Sequence, residues 1–375
     1  MRLSACKTNN EWSARLLKKY HVSMDQLSTI AVKLFAGMGY AGREAAYAAD
    51  VLVETNRRGV DTHGVARLEF YNMLVSMEEN INKNAQLNII RDEPPYLMVD
   101  ADRGLGIIMA PQAVELAINR ASEQGICVMG IRNSSHFGAA GYYADKCARQ
   151  GYIALVSSNS GATMAPYGGR EKILGNSPWS IAVPGGNRHP DHVMFDMACS
   201  EVSRGKCETA MREGRQVPIG WGIDKNGEPS TDPAAILWEG CLLPFGGIKG
   251  YCIALLVEVL SSMVTFASQN ENDAGGVHEG ASHFVLLLDP GKFGSMEAYK
   301  NSIDSYVDQI KNTPLANGVS EIIVPGELEA RSIRMRTEKG MELDEAVASS
   351  LVAVARERGL LTADQGVEAL CTVLQ

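Results

Sequence analysis

Apolar side chains recur every three or four positions over residues 24–38 (Leu27, Ile30, Ala31, Leu34) and again over residues 43–58 (Ala46, Ala49, Leu52, Val53), which predicts two amphipathic helices. A third follows in Arg57-Arg58-Gly-Val-Asp-Thr-His-Gly-Val-Ala-Arg-Leu-Glu-Phe-Tyr71. Here His63, Arg67 and Tyr71 stand four apart, and each step overshoots a full turn by only about 40°, so on a helix they share one face. Asp61 or Thr62 would cap that helix, and Leu68, Met73 and Leu74 would form its core-facing stripe. The first ninety residues therefore read as a helical unit. Its first 21 residues are polar and basic, with a short amphipathic piece over 11–20, and no role is assigned to them.

The texture changes at Glu93-Pro-Pro95. Residues 96–99 read as a strand, 110–124 as a helix, 126–131 as a strand, 138–150 as a helix and 152–157 as a strand, a βαβαβ alternation. Arg103-Gly-Leu-Gly106 sits where a dinucleotide fingerprint would begin, but its third glycine position holds Met109 and the second strand ends in Arg132-Asn133 without an acid, so an ordinary Rossmann site is not expected. Residues 160–250 are rich in Gly and Pro, with short strands at 180–183 and 193–197, and predict a sheet with long working loops. Residues 251–265 are apolar all round, the mark of a central helix. A strand over 283–288 and helices over 295–311 and from 327 to 375 complete the chain, with no internal repeat.

Composition narrows the class. The 375 residues are 45% hydrophobic and 21% charged, enough for two or three cores, and a formal net charge of -9 speaks against a nucleic-acid partner. The N-terminus lacks the apolar segment of a signal peptide, and the longest apolar run, residues 252–260, is short and interrupted by Glu258; a cytoplasmic protein without a membrane span is expected. Eight cysteines show no Cys-x-x-Cys and no Cys/His spacing of a zinc site, so they read as small buried hydrophobes and no metal is expected.

Two further segments carry candidate chemistry. His136, in Ile131-Arg-Asn-Ser-Ser-His136-Phe-Gly, falls just past a strand and just ahead of a helix, where α/β folds bind ligands and unpaired helix N–H groups favour an anion. An imidazole there can pass a proton to a developing alkoxide, although a capping or core histidine fits the same position. Lys249, in Pro244-Phe-Gly-Gly-Ile-Lys-Gly-Tyr251, suits a phosphate or carboxylate between its glycines; its rival reading is a Schiff-base amine, which needs desolvation. His278-Glu-Gly-Ala-Ser-His283 has one residue too many for a zinc-protease helix, and Cys199 has no evident partner base.

Taken together, Asp61-Thr-His-Gly-Val-Ala-Arg67, Asn133-Ser-Ser-His-Phe-Gly138, Phe195-Asp-Met-Ala198, Arg204-Gly-Lys206, Gly247-Ile-Lys-Gly-Tyr251 with Val-Glu-Val-Leu260, and Pro325-Gly-Glu327 resemble, in order and spacing, the malate/L-lactate dehydrogenase family of the non-Rossmann type. That family includes ureidoglycolate, sulfolactate and diketogulonate dehydrogenases or reductases, and the resemblance runs from about residue 22 to the C-terminus. It implies hydride transfer between NAD or NADP and a small 2-hydroxy or 2-oxo acid, malate- or lactate-like, in a homodimer. By motif, His136 and His63 match the proton-transferring histidines, and Arg67 with Tyr71 the substrate carboxylate contacts. Ser160, Asp196, Met197, Ala198, Lys249 and the turn Gly326, Glu327, Leu328 match cofactor contacts.

The implied fold is α/β: a helical domain from both termini (residues 1–92 and 310–375) and a cofactor domain (93–309) with a mixed, largely antiparallel sheet, without a Rossmann fingerprint and with a small inserted subdomain near 126–158. The chain departs from the family pattern at Gly175-Asn-Ser-Pro178, where relatives usually have Gly-Thr-Asn-Pro, and at Ile248 and Cys252. Two other readings are a lyase using Lys249 as a Schiff base and a non-catalytic nucleotide or anion sensor on the same scaffold.

Overall fold

The computed structural model describes residues 18–77, 81–267 and 280–373. The segment 1–17, with Cys6 and most of the amphipathic piece, lies outside them, as does His278. In chain order the elements are β1 (Lys19–Val22), α1 (Met24–Gly37), α2 (Arg43–Arg57), α3 (Leu68–Ser76), β2 (Asn88–Glu93), β3 (Tyr96–Asp100), α4 (Gly106–Gln124), β4 (Ile126–Ser134), α5 (Ala140–Ala148) and β5 (Ile153–Ser158). Then come β6 (Ala162–Met164), β7 (Leu174–Gly175), β8 (Trp179–Val183), β9 (Val193–Met197), α6 (Arg204–Arg212), β10 (Gly222–Ile223), β11 (Cys241–Leu242) and α7 (Ile248–Glu258). The chain ends with β12 (Ala281–Leu288), α8 (Met296–Lys311), α9 (Glu327–Lys339), β13 (Met341–Asp344), α10 (Glu345–Glu357) and α11 (Val367–Val373).

The helices start where local chemistry dictates. At α1, the Ser23 hydroxyl accepts from the Gln26 N–H while the Gln26 side chain accepts from the Ser23 N–H, a reciprocal capping box. Residues 57–71 do not make the single helix that their spacing predicts. Two 3₁₀ turns, Asp61–His63 and Val65–Arg67, flank Gly64, and only then does α3 begin. The reason is tertiary: buried Asn56 donates to Asp61 at 2.7 Å and accepts from the Val65 N–H at 2.8 Å, replacing the helical ladder. A Cβ at Gly64 would lie 2.2 Å from the Asn56 amide oxygen, so no other residue fits there. Asp61 is accordingly no helix cap; its carboxylate takes Arg336 of α9. Leu68 and Leu74 are buried as expected, whereas Met73 is exposed.

The large sheet has the order β2-β3-β4-β12-β5-β8-β9, in which only β3 and β4 run parallel. The βαβαβ alternation is real as a sequence of elements, but β4 and β5 are not neighbours. Strand β12, distant in sequence and buried over most of its length, is inserted antiparallel between them. The sheet is therefore mixed and largely antiparallel. A four-stranded sheet, β10-β11-β6-β7, stands apart, and β1 pairs with β13. Sequence reading missed β2, β1 and β13. In β13, Met341 and Leu343 alternate inward, a period of two hidden between helices.

One continuous core joins α1–α5, the large sheet and α10, so the helical segments pack directly on the sheet. The C-terminal helices return to α2 and α3 through Arg57–Thr337, Asn72–Glu357 and Arg358–Asn72 hydrogen bonds. A second core gathers residues from 164 to 257, around Met164, Cys207, Ile236 and Ala254. The small unit is thus this Gly/Pro-rich region and not 126–158, which supplies the middle of the large sheet. Helix α7 also departs from expectation. Gly250, Ala254 and Val257 face inward, but Leu255 and Leu256 are 44% and 55% exposed, so an all-round apolar helix lies at the surface with one face open. No described helix is long and apolar enough to cross a membrane.

Candidate active site

A cleft of about 960 Å³ opens between the helical layer, the ends of β4, β5 and β9, and the second core. His136 enters it because β4 ends at Ser134 and the next turn is pinned to the start of α4. Ser135 Oγ accepts the Gly106 N–H at 2.9 Å, and a Cβ at Gly106 would stand 2.2 Å from the Ser135 carbonyl, so only glycine allows the approach. Gly138, at φ +87°, then turns the chain into α5.

His63 and His136, 73 residues apart in sequence, stack with ring centroids 6.2 Å apart and planes 16° from parallel. Phe70 meets His136 edge-on at 5.3 Å. The His63 ring shares a hydrogen bond of 3.1 Å with Thr62 Oγ1, and burial, together with the nearby Arg67 cation, pulls its pKa down to about 4, so it is neutral at physiological pH. Arg67 donates from Nε to the Thr62 carbonyl at 2.9 Å and lines the cleft beside Gly205 in the first turn of α6. Tyr71 is placed differently from expectation: it is fully buried behind His136, off the cleft wall, with its hydroxyl 2.6 Å from His136 Nδ1.

The other wall carries Ser160 and the run Asp196, Met197 and Ala198 at the end of β9. Ser160 donates to the Asn176 amide oxygen at 2.7 Å, so Asn176 brings an amide to the wall. Gly138, Ala139 and Ala140 line the cleft with almost no side chain, and the Asp196 carboxylate takes the Gly141 N–H in the first turn of α5. Asp196 is exposed to the cleft, where desolvation by the surrounding walls raises its carboxyl to about 6, against the Gly141 N–H and Arg58, which favour the carboxylate. The smooth wall allows a close approach, and a carboxylate acceptor suits sugar hydroxyls, so these residues fit a dinucleotide without a glycine fingerprint.

Lys249 and the 326–328 turn do not line the cleft. Lys249 is exposed in the first turn of α7. Gly326, at φ +95°, backs onto β9 at His192 and Met194, two residues from Asp196, and Glu327 is held by Lys311, Arg331 and the Val324 N–H, with its pKa lowered to about 2. Sequence reading gave no role to Glu258, which lines the cleft and accepts from Ser262 at 2.5 Å, nor to Ser262, which also accepts from Asn159 at 2.8 Å. The π-helical turn Val259–Met263 brings these groups inward; the only signal was one acid inside the apolar run. His283 is a core residue, buried between Ser158 and Ser134 and stacked 4.1 Å from Phe137. Cys199 is buried with its thiol pushed up to about 12, an inert packing group. Among the described residues no group of three or more His, Cys, Asp and Glu could hold a metal ion.

The chain is similar to known proteins over most of its length. The chain is 36% identical over 336 residues to the L-sulfolactate dehydrogenase of Methanocaldococcus jannaschii, covering 88% of this chain and 95% of the relative. The solved structure of sulfolactate dehydrogenase from that organism superposes with a TM-score of 0.81 at 33% identity, over 93% of this chain and 99% of the other. The (2R)-3-sulfolactate dehydrogenase (NADP(+)) of Chromohalobacter salexigens is 32% identical over 90% of this chain and 98% of its own length. The ureidoglycolate dehydrogenase (NAD(+)) of Escherichia coli K12 is 28% identical over 89% and 95%. With a family model matching residues 22–352, the chain belongs to the malate/L-lactate dehydrogenase family.

Proposed function

We propose that in this NAD(P)-dependent oxidoreductase of small 2-hydroxy acids His136 is the proton carrier and Arg67 the carboxylate clamp. The observation that carries the reading is the convergence of two imidazoles and a guanidinium, from separate parts of the chain, on one cleft whose opposite wall fits a dinucleotide. When bound, the nicotinamide supplies or accepts a hydride at the substrate C2. Arg67 holds the C1 carboxylate and so orients C2. Tyr71 occupies His136 Nδ1, which leaves Nε2 as the nitrogen that exchanges a proton with the C2 oxygen. Neutral His63, stacked on His136, donates to or accepts from the same oxygen without adding a competing charge. Arg204 and Lys206 on the cleft wall favour a second anionic group on C3, as in malate or sulfolactate.

We assign cofactor contacts to Ser160, Asp196, Met197 and Ala198, with Gly326, Glu327 and Leu328 continuing the same edge of β9. Lys249 takes no catalytic part in this reading: it is exposed, and a Schiff-base amine needs a dry pocket. Neither the lyase nor the sensor reading gains support from the relatives, which are named as dehydrogenases. The open apolar face at Leu255, Leu256, Met263, Val264 and Phe266 supports a contact between two copies of the chain. Cys127, Cys147, Cys199, Cys207, Cys241 and Cys252 are free, which fits a reducing compartment.

The test is a panel of both reduced cofactors against oxaloacetate, pyruvate, sulfopyruvate and cyclic imino acids, read at the reduced-nicotinamide absorbance. Turnover of a dianionic 2-oxo acid is expected, with a loss of about 10²- to 10⁴-fold in His136→Ala while the cofactor still binds. Turnover unchanged in that variant would overturn the assignment.

A further inference from the structure

We propose that Tyr71 is a positioning residue for His136, holding Nδ1 with a hydroxyl that serves both protonation states of the ring, and is no contact to the substrate carboxylate. The inference rests on the reading of His136 as proton carrier. Its basis is geometric. Tyr71 has no exposed surface, and its ring is walled in by Phe35 at 6.4 Å and Phe70 at 5.5 Å between centroids. Its hydroxyl meets His136 Nδ1 at 2.6 Å, well inside ordinary hydrogen-bond range, and so sits on the side of the imidazole turned away from the cleft. Arg67 and His136 line the cleft, and Tyr71 does not.

The Gly138 N–H approaches the same nitrogen at 3.4 Å. An amide N–H can only donate, so alone it would favour a bare Nδ1 and resist protonation there. Yet an imidazolium that gives up its Nε2 proton must keep one on Nδ1, and that Nδ1–H needs an acceptor. A carboxylate in this place would accept but would hold the ring charged. A phenol oxygen accepts from Nδ1–H both in the imidazolium and in the neutral ring left when Nε2 has given up its proton, without holding the ring charged. Burial pushes the Tyr71 ionisation well above its ordinary value, so the phenol keeps its proton and the exchangeable proton stays on the imidazole. The geometry of α3 is adapted to this task. Arg67 closes the 3₁₀ turn Val65–Arg67 and stays on the cleft, while Tyr71, inside α3, is buried behind His136.

The test is Tyr71→Phe, which keeps the ring and its packing and removes one oxygen. Two readouts are taken on the same protein. In histidine-selective ¹⁵N spectra of the wild type, whose seven histidines are assigned by single substitution, neutral His136 shows one tautomer with the proton on Nδ1. In Tyr71→Phe its nitrogens move toward an averaged pair. In steady-state kinetics kcat falls about 10- to 100-fold, the scale of one hydrogen bond to a charged group, while KM for the 2-oxo acid stays within about twofold. A rise in KM with kcat unchanged would make Tyr71 a substrate contact and overturn the proposal, as would His136 nitrogens that do not respond. His136→Gln separates this from the parent reading. If that variant keeps turnover, the proton-carrier role falls, whereas the ¹⁵N response to Tyr71→Phe still reports whether the phenol sets the tautomer.

Discussion

Replacing His283 by Gln tests how a neutral core histidine supports the catalytic loop. His283 is wholly buried on β12, hydrogen-bonded through Nδ1 to Ser158 Oγ at 2.9 Å and through Nε2 to Ser134 Oγ at 3.0 Å, and stacked within 6° of parallel on Phe137, the residue after His136. Burial lowers its pKa from 6.5 to about 3. The unfolded chain therefore takes up a proton below about pH 6.5 that the native state refuses until about pH 3, and stability is lost as pH falls through that window. Each pH unit costs about 1.4 kcal/mol, so between pH 7.5 and 5.0 this residue alone removes on the order of 2 kcal/mol. The assay is urea unfolding of wild type and His283→Gln at both pH values. The variant is expected to be less stable at pH 7.5, since the stack is lost, but to lose about 2 kcal/mol less on acidification. His63 acts in the same direction and Asp196, raised to about 6, in the opposite one; both are present in each protein and cancel in the double difference. Equal losses in the two proteins would refute the claim that His283 is held neutral by the fold.

Arg67→Lys keeps the charge but removes the planar fork, so KM for the 2-oxo acid should rise about 10- to 100-fold with a smaller fall in kcat; an unaltered KM would exclude the clamp. Leu256→Glu places a charge in the open face of α7. Light scattering should report a dimer for the wild type and a monomer for the variant, and a monomeric wild type would remove the basis for the two-copy contact.

How far the sequence reached differs from element to element, for identifiable reasons. Its periodicities located α1, α2, α4, β4 and β12 to within a few residues, because their apolar spacing and their turn residues agree. The absent third glycine ruled out a Rossmann site, and α5 indeed presents its first turn to the cleft without that fingerprint. The motifs around His63, Arg67 and His136 named three residues that the fold brings to one cleft, since residue type and order survive in one dimension.

What the linear pattern could not carry were relations between distant segments. Nothing near residue 130 says that β12, some 150 residues later, will lie between β4 and β5, because strand order follows from which buried faces match in three dimensions. The supposed helix over 57–71 is broken by a single amide, Asn56, whose hydrogen bonds exist only once α2 and the loop are packed. Tyr71 stands four residues after Arg67, yet Arg67 ends a 3₁₀ turn on the cleft and Tyr71 lies inside α3 in the core. Residue identity and spacing thus determined which chemical groups the chain carries and the local elements that bear them. Packing decided which groups meet, which way each faces and how burial shifts its ionisation, because those depend on desolvation and contacts absent from any single segment.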